Sequence, residues 1–160
     1  MADQKPPRLA GGERETLQAL LHYQRDSLVR KVTGLDDQAT RQSPVGSGTT
    51  LLWLVEHMAA AESTRILQRF GGLEADLAGD APAPDHTLRD AVAAYRRTWL
   101  QVDAVVASAT SLDEGCRHPG SGSDPPVNLR WVLTHLLEET ARHAGHADIL
   151  RELIDGHTGR

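Results

Sequence analysis

Apolar residues recur at intervals of three and four along four segments of the chain, and clusters of glycine, proline and serine divide these segments. This spacing places the apolar side chains of each segment on one side of an α-helix. None of the segments shows the alternation of apolar and polar residues that is typical of a half-buried strand. The sequence therefore predicts an all-α fold, with a four-helix bundle as the leading architecture.

The boundaries of these helices follow from residues that start or stop helical hydrogen bonding. The second helix begins after Ser47 or Thr49, either of which can cap free amide groups. Asn128 is expected to cap the fourth helix, and Gly156 is expected to end it. The four predicted helices cover approximately residues 13–33, 48 or 50–70, 87–109 and 129–156.

Length and composition restrict the class of protein further. A chain of 160 residues can form one domain with its own core, and residues 1–11 and 157–160 are expected to be its frayed ends. The net charge is −5, and the 17 lysine and arginine residues are scattered among acids, which argues against nucleic acid as a partner. The N-terminus lacks the apolar core of a signal peptide, and the longest run of large apolar residues is only LLWLV. The short apolar runs predict no membrane partner, and a single cysteine suits a reducing compartment. The chain is therefore expected to be cytoplasmic.

The last predicted helix carries four ionisable side chains on the same inward stripe as its leucines. They are His135, Glu139, His143 and His146. Because burial of an unpaired charge costs several kcal/mol, inward carboxylate and imidazole groups need hydrogen bonds, ion pairs or a metal ion. Glu139 and His143 are four residues apart, so they stand one above the other at a spacing that can chelate a metal.

The second predicted helix supplies another inward imidazole, His57, beside small alanines. If that helix packs on the fourth, then His57, Glu139 and His143 provide two nitrogens and one oxygen. This set is typical of a catalytic zinc site, although nickel, iron and manganese bind the same donors. His146 is the alternative or additional ligand, and His135 is a candidate supporting donor behind Glu139. Taken alone, each histidine also fits a hydrogen-bonded core residue of a plain dimeric bundle.

The segments that carry these residues resemble a known family. TLLWLVEHMAAAE and LRWVLTHLLEETARHAGHADILRELIDG are similar to the DinB-like superfamily of metal-binding four-helix bundles, in particular to an actinobacterial subfamily long described as a domain of unknown function. The resemblance spans almost the whole chain, and RHAGHADILRE is its most specific part. It implies one DinB-like domain over residues 1–160, with the first metal ligand at His57. The family name comes from a damage-inducible gene and implies neither polymerase activity nor DNA binding.

The resemblance also bears on the ligands of the last helix. Many relatives carry His-x-x-x-His followed by Gly-Gln, and alignment on Gly145 places Glu139 and His143 at the two histidines and His146 at the glutamine. In this respect the chain resembles the branch that contains mycothiol-dependent maleylpyruvate isomerase, in which glutamate takes the middle ligand position. The resemblance therefore implies Glu139 rather than His146 as a ligand, although an exchange between these two residues stays open.

Characterised relatives use mycothiol or bacillithiol for S-transfer or isomerisation, with a metal that lowers the pKa of the bound thiol. The resemblance implies an enzyme in which such a thiol, mycothiol first, attacks an electrophilic or xenobiotic substrate. The alternative is a non-catalytic bundle that binds metal or a small ligand at the same residues. Substrate choice is assigned to the loops at 73–86 and 110–127 with Trp53 and Trp131. Related bundles are often dimers, so a homodimer is expected.

Overall fold

The computed structural model describes residues 4–74, 85–118 and 125–158, which form helices and connecting turns without a β-strand. The predicted all-α class is confirmed. Residues 4–12 precede the first helix, and the outermost predicted frayed residues, 1–3 and 159–160, lie outside the described residues. The helices are α1 Glu13–Val32, α2 Asp37–Thr40, α3 Leu51–Glu62 with a π-helical continuation over Ser63–Phe70, α4 Leu88–Ser108 and α5 Leu129–Asp155.

The start of α3 is set by a side chain that bonds a free amide. Thr50 accepts a hydrogen bond from the backbone N–H of Trp53 at 3.1 Å. The predicted cap at Ser47 or Thr49 is therefore wrong. The hydroxyls of these two residues bond each other at 2.9 Å in the preceding turn, so neither is available to the helix.

Both predicted ends of α5 are confirmed. Asn128 accepts a hydrogen bond from the backbone N–H of Trp131 at 3.0 Å. Gly156 ends the helix with a φ of 77°, a left-handed conformation that glycine adopts without the steric penalty of a Cβ. These two residues define the helix that carries Glu139 and His143.

Two local features depart from the predicted helices. The short helix α2 lies within the predicted connector, where Asp36 accepts a hydrogen bond from the backbone N–H of Ala39 at 2.7 Å and so caps a single turn. The second half of the second predicted helix is a π-helix, in which the N–H of Gly71 donates to the carbonyl of Ile66, five residues earlier, at 2.8 Å. π-Helical turns are rare and are often found near functional sites.

The helices pack as two neighbouring layers, with α1 along α5 and with α3 in contact with both α4 and α5. The leucine stripe predicted for the last helix is buried, since Leu129, Leu133 and Leu136 are at most 1% exposed. Within the described ranges, no helix is long and apolar enough to cross a lipid bilayer. Two apolar clusters form the core, one containing Leu28, Leu54, Met58 and Ala147, the other Leu21, Ile66, Val102 and Leu136.

A buried ion pair connects three helices, and sequence periodicity did not reveal it. Arg25 of α1 donates from Nε to Oε1 of Glu62 at 2.9 Å and from Nη2 to Oε2 of the same carboxylate. Both side chains are fully buried. Tyr95 of α4 donates to Oε1 of Glu62 at 3.0 Å, and Asp103 accepts from Nη1 of Arg25 at 3.0 Å. Burial by itself lowers the pKa of Arg25, but the charges of Glu62 and Asp103 raise it by more.

Replacement of Arg25 by methionine is expected to lower the free energy of unfolding by about 3–5 kcal/mol, because Glu62 stays buried without its counter-charge. Urea unfolding followed by circular dichroism measures the change. Glu138→Gln is the matched control, since Glu138 forms an exposed pair with Arg142 and its loss is expected to cost less than about 1 kcal/mol. Equal losses in the two variants would contradict the importance of the buried pair.

Candidate metal centre

The contact between α3 and α5 brings together two histidines that the sequence analysis singled out on separate helices. The ring centroids of His57 and His143 are 5.0 Å apart, with an interplanar angle of 77°. The side chain of His143 is only 12% exposed, and His57 is also partly buried. Two imidazoles from opposite sides of the helix contact thus meet inside it.

Glu139 lies one turn before His143 on α5. Its Oε2 atom is 3.3 Å from Nε2 of His143, and its Oε1 atom is 3.6 Å from Nη1 of Arg142. The carboxylate is largely buried, whereas Arg142 is exposed. One oxygen of Glu139 therefore faces the imidazole, and the other faces a guanidinium at the surface.

Trp53 fixes the ring of His57 from one side. The two rings are stacked, with centroids 4.6 Å apart and an interplanar angle of 16°. The Nδ1 atom of His57 is buried and has no hydrogen-bond partner in the part of the chain that the structure describes. A buried nitrogen without a partner loses the hydrogen bond that water supplies in the unfolded chain. A cation bound at this atom would restore a favourable interaction.

The other two histidines of the stripe lie in different surroundings. His146 is exposed, so the prediction that it points inward is wrong. It lies about 60° around the helix from His143, at the edge of the inward stripe. Its Nδ1 atom is 3.3 Å from Nδ1 of His143, so that one ring donates a hydrogen bond to the other. His135 is partly buried and stacks on Trp131 at 4.8 Å. Its Nε2 atom is 3.9 Å from Oε1 of Glu139, beyond hydrogen-bond distance.

The donor atoms suit a divalent metal, but they do not yet converge on a single point. In residues 4–74, 85–118 and 125–158, no three His, Cys, Asp or Glu side chains are placed so that they could hold a metal ion. Zinc, nickel, iron and manganese all accept the two nitrogens and one carboxylate oxygen of His57, Glu139 and His143. The Oε2 atom of Glu139 is 3.3 Å from Nε2 of His143, and the rings of His57 and His143 are 5.0 Å apart between centroids. Rotation of these side chains would be needed to bring the three donor atoms around one metal ion. The unpartnered Nδ1 of His57 supports this fit.

Arg65 of the π-helix is a charged residue of this region that sequence reasoning missed. Its Nε atom is buried without a hydrogen-bond partner among the described residues. Burial lowers the pKa of Arg65, the negative charge of Glu139 opposes that shift, and the positive charge of Arg69 adds to it. A helical count of 3.6 residues per turn from His57 does not place Arg65, because the hydrogen-bonding pattern changes after Glu62. The sequence offers no signal that separates Arg65 from Arg69 of the same segment, which is exposed.

The loops to which substrate choice was assigned are described only in part. Of the predicted loops 73–86 and 110–127, residues 75–84 and 119–124 lie outside the described part of the chain. The described part of the second loop is held by an antiparallel bridge between Gly115 and the residue that caps α5. The assignment of substrate choice to these loops stays a prediction.

Cys116 is the single cysteine of the chain. Together with Arg65, Arg69 and Trp131, it lines a narrow cleft between the π-helix and α5. Burial raises the pKa of the Cys116 thiol, with Arg69 acting in the opposite direction. The thiol is thus less readily ionised than a free cysteine, which suits a structural residue rather than a nucleophile.

Comparisons with known proteins identify the fold and the family of this chain. The fold is that of the DinB-like helical bundles. A crystal structure described as a conserved protein of locus from Enterococcus faecalis matches with a TM-score of 0.70 and 13% identity, over 92% of this chain and 100% of that one. That likeness shows the fold alone. A search of curated proteins found no match.

The family itself is shown by sequence. The family model described as mycothiol-S-transferase matches residues 16–156, which include α3, α4, α5, all but the first three residues of α1, and every candidate ligand. This chain belongs to the mycothiol S-transferase family. The resemblance inferred from the helix that carries Glu139 and His143 is confirmed at this level.

Acidification is expected to destabilise the metal-free protein through His143. Burial lowers the pKa of His143 from its ordinary value of 6.5, His57 lowers it further, and the charge of Glu139 opposes the shift. Above about pH 6.5 the imidazole is neutral in both states and contributes nothing. As the pH falls below that value the unfolded chain takes up the proton first, so stability decreases until the folded protein is protonated too.

Urea unfolding in the presence of a chelator, from about pH 8 to about pH 5, tests this contribution. The stability of the wild type should fall more steeply with decreasing pH than that of His143→Gln. His157→Gln serves as the control, since His157 is largely exposed at the end of the chain, and it should follow the wild type. Parallel curves for the wild type and His143→Gln would show the lowered pKa of His143 to be wrong.

Proposed function

We propose that this protein is a metal-dependent S-transferase that joins a low-molecular-weight thiol, mycothiol in the first instance, to an electrophilic small molecule. Membership in the mycothiol S-transferase family supports the class of reaction. The observation that carries the proposed site is the buried Nδ1 of His57, which has no partner among the described residues, on a ring whose centroid lies 5.0 Å from that of His143. A nitrogen lone pair in such a place is suited to a metal ion.

His57, Glu139 and His143 are the proposed ligands. Zinc is the first choice of metal, with nickel, iron or manganese as alternatives. Glu139 is preferred to His146 because its Oε2 atom is 3.3 Å from Nε2 of His143, whereas His146 is exposed and bonds the other ring nitrogen. That second bond suits a supporting residue, since histidine ligands usually bond a partner through their free ring nitrogen. His135 is proposed as a further supporting group near Glu139.

The charges of the site fit a thiolate. A bound divalent metal would supply the positive charge that keeps a thiol sulfur ionised at neutral pH. Glu139 contributes one negative charge, which leaves one positive charge on the site for the thiolate to neutralise. The stack of Trp53 on His57 fixes the ring and keeps water from one of its faces.

The proposed transfer requires no protein nucleophile. The thiol loses its proton to solvent, its sulfur forms a bond to an electrophilic carbon, and the leaving group departs from that carbon with the bonding electrons. His57, Glu139 and His143 would hold the metal ion, which in turn would stabilise and orient the thiolate. Cys116, the single cysteine of the chain, takes no part. In the related isomerase chemistry, the thiol would add to the substrate and then leave again.

Two expectations about the location and the oligomeric state of the protein accompany this proposal. A cytoplasmic location and a homodimer both stay predictions from the sequence. Ile149 and Leu153 of α5 are more than half exposed and lie one turn apart. An apolar edge of this kind is compatible with association of two copies.

Metal analysis of the purified protein is expected to find a divalent ion at a stoichiometry of about one per chain. His57→Ala and His143→Ala should lose the ion because each removes a nitrogen ligand, and Glu139→Gln should weaken its binding at least about tenfold. His22→Ala is the matched control, because His22 lies on α1, pairs with Asp103 and is not a proposed ligand. A wild type that binds no zinc, nickel, iron or manganese in a chelator competition would overturn the metal proposal.

Mycothiol and a bimane or chlorinated electrophile should give conjugate at a rate that requires the metal and that falls at least about tenfold in Glu139→Ala. Cys116→Ser should retain the wild-type rate. A panel of thiols identifies the cofactor. Metal binding without turnover by any thiol would favour the non-catalytic binding bundle, and equal rates for Glu139→Ala and the wild type would contradict catalysis at this site.

A further inference from the structure

A second cavity lies on the other side of α3 from the candidate metal centre. It has a volume of about 340 Å³, is partly open to solvent, and is lined by residues of α3, the π-helix and α4 together with Leu73, Glu74 and His86. This volume falls in the range of cavities that bind small organic molecules. The residues of its lining on which the argument rests are Glu56, Ala59, Ala60, Glu74, His86 and Ala94.

Glu56 places a carboxylate in this cavity with half of its hydrogen-bonding capacity unused. Its side chain is only 8% exposed. The Oε1 atom bonds Nδ1 of His86, whereas the Oε2 atom is buried and has no partner among the described residues. An unpartnered carboxylate oxygen is costly to bury, so the site favours a molecule that donates a hydrogen bond to it.

The cavity is independent of the proposed metal site although Glu56 and His57 are consecutive. His57 faces Trp53 and His143 at the contact with α5. Glu56 faces His86, which directly precedes α4. Successive residues of a helix differ in direction by about 100°, and this turn separates the two environments.

The lining determines the kind of ligand. Alanines of α3 and α4 leave the space open and make the walls mainly apolar. The lining contains two carboxylates, Glu56 and Glu74, and one basic group, His86, which bonds Glu56. The balance of charge therefore favours a cation over an anion, and the small volume favours a compact apolar body.

We infer that this cavity binds a small organic amine, with the ammonium group against the carboxylate of Glu56 and an apolar body between the alanines of α3 and α4. An ammonium group donates charge-assisted hydrogen bonds to a carboxylate, and the carboxylate of Glu56 has one oxygen without a partner among the described residues. The alanine walls take the apolar remainder out of water. This binding function goes beyond the proposed transferase reaction and does not require the metal.

Isothermal titration calorimetry of the full-length protein with benzylamine tests the inference, with benzyl alcohol and benzoate as matched neutral and anionic probes. Benzylamine should bind with and without a chelator, and benzoate should not. Glu56→Gln keeps an oxygen for His86 but removes the charge, so benzylamine affinity should fall about 10- to 100-fold. Glu152→Gln, at an exposed carboxylate of α5, should leave the affinity unchanged.

A second pair of variants tests the cavity without a change on α3. Ala94→Leu fills the space from α4 and should abolish benzylamine binding, whereas Ala93→Leu, at the adjacent exposed position, should not. The inference is overturned if benzylamine shows no binding at millimolar concentration. It is equally overturned if all three probes bind alike, or if Glu56→Gln and Ala94→Leu both bind benzylamine as the wild type does.

Discussion

The arrangement of this bundle depends on the buried ion pair between Arg25 and Glu62. Since neither charge can be left alone in the core, α1 and α3 are held at one relative height, and the hydroxyl of Tyr95 extends the constraint to α4. The pair sits at the last residue of α3 before the hydrogen bonding becomes π-helical. Because Glu62 lies between His57 and Arg65 on the same continuous helical segment, the ion pair helps to fix the position of both.

The long helices could be predicted because each carries an apolar stripe, and the last of them also carries residues that cap both of its ends. Asn128 and Gly156 needed no knowledge of the remainder of the chain. The approach of His57 to His143 could also be anticipated, since bundles pack their apolar stripes against each other and both imidazoles lie on such stripes.

What escaped prediction depends on partners that are distant in sequence. Arg25 bonds residues 37 and 78 positions later, and a periodic count on α1 alone treats it as any other polar residue. Glu56 is paired with His86 across the cavity, 30 positions later. The exposure of His146 illustrates a different limit, because a stripe defined by spacing has edges whose position is decided only by the neighbouring helix.

The stack of Trp53 on His57 provides an intrinsic fluorescence probe of the proposed metal centre. The emission of an indole responds to a charge placed against its face, so a proton or a cation on that imidazole should change the fluorescence of this one residue. The other two tryptophans also lie against ionisable groups: Trp99 is under the guanidinium of Arg25, and Trp131 stacks on His135. Variants that keep one tryptophan at a time would therefore report separately on the metal centre, the buried ion pair and the surface beside Glu139, without any attached dye.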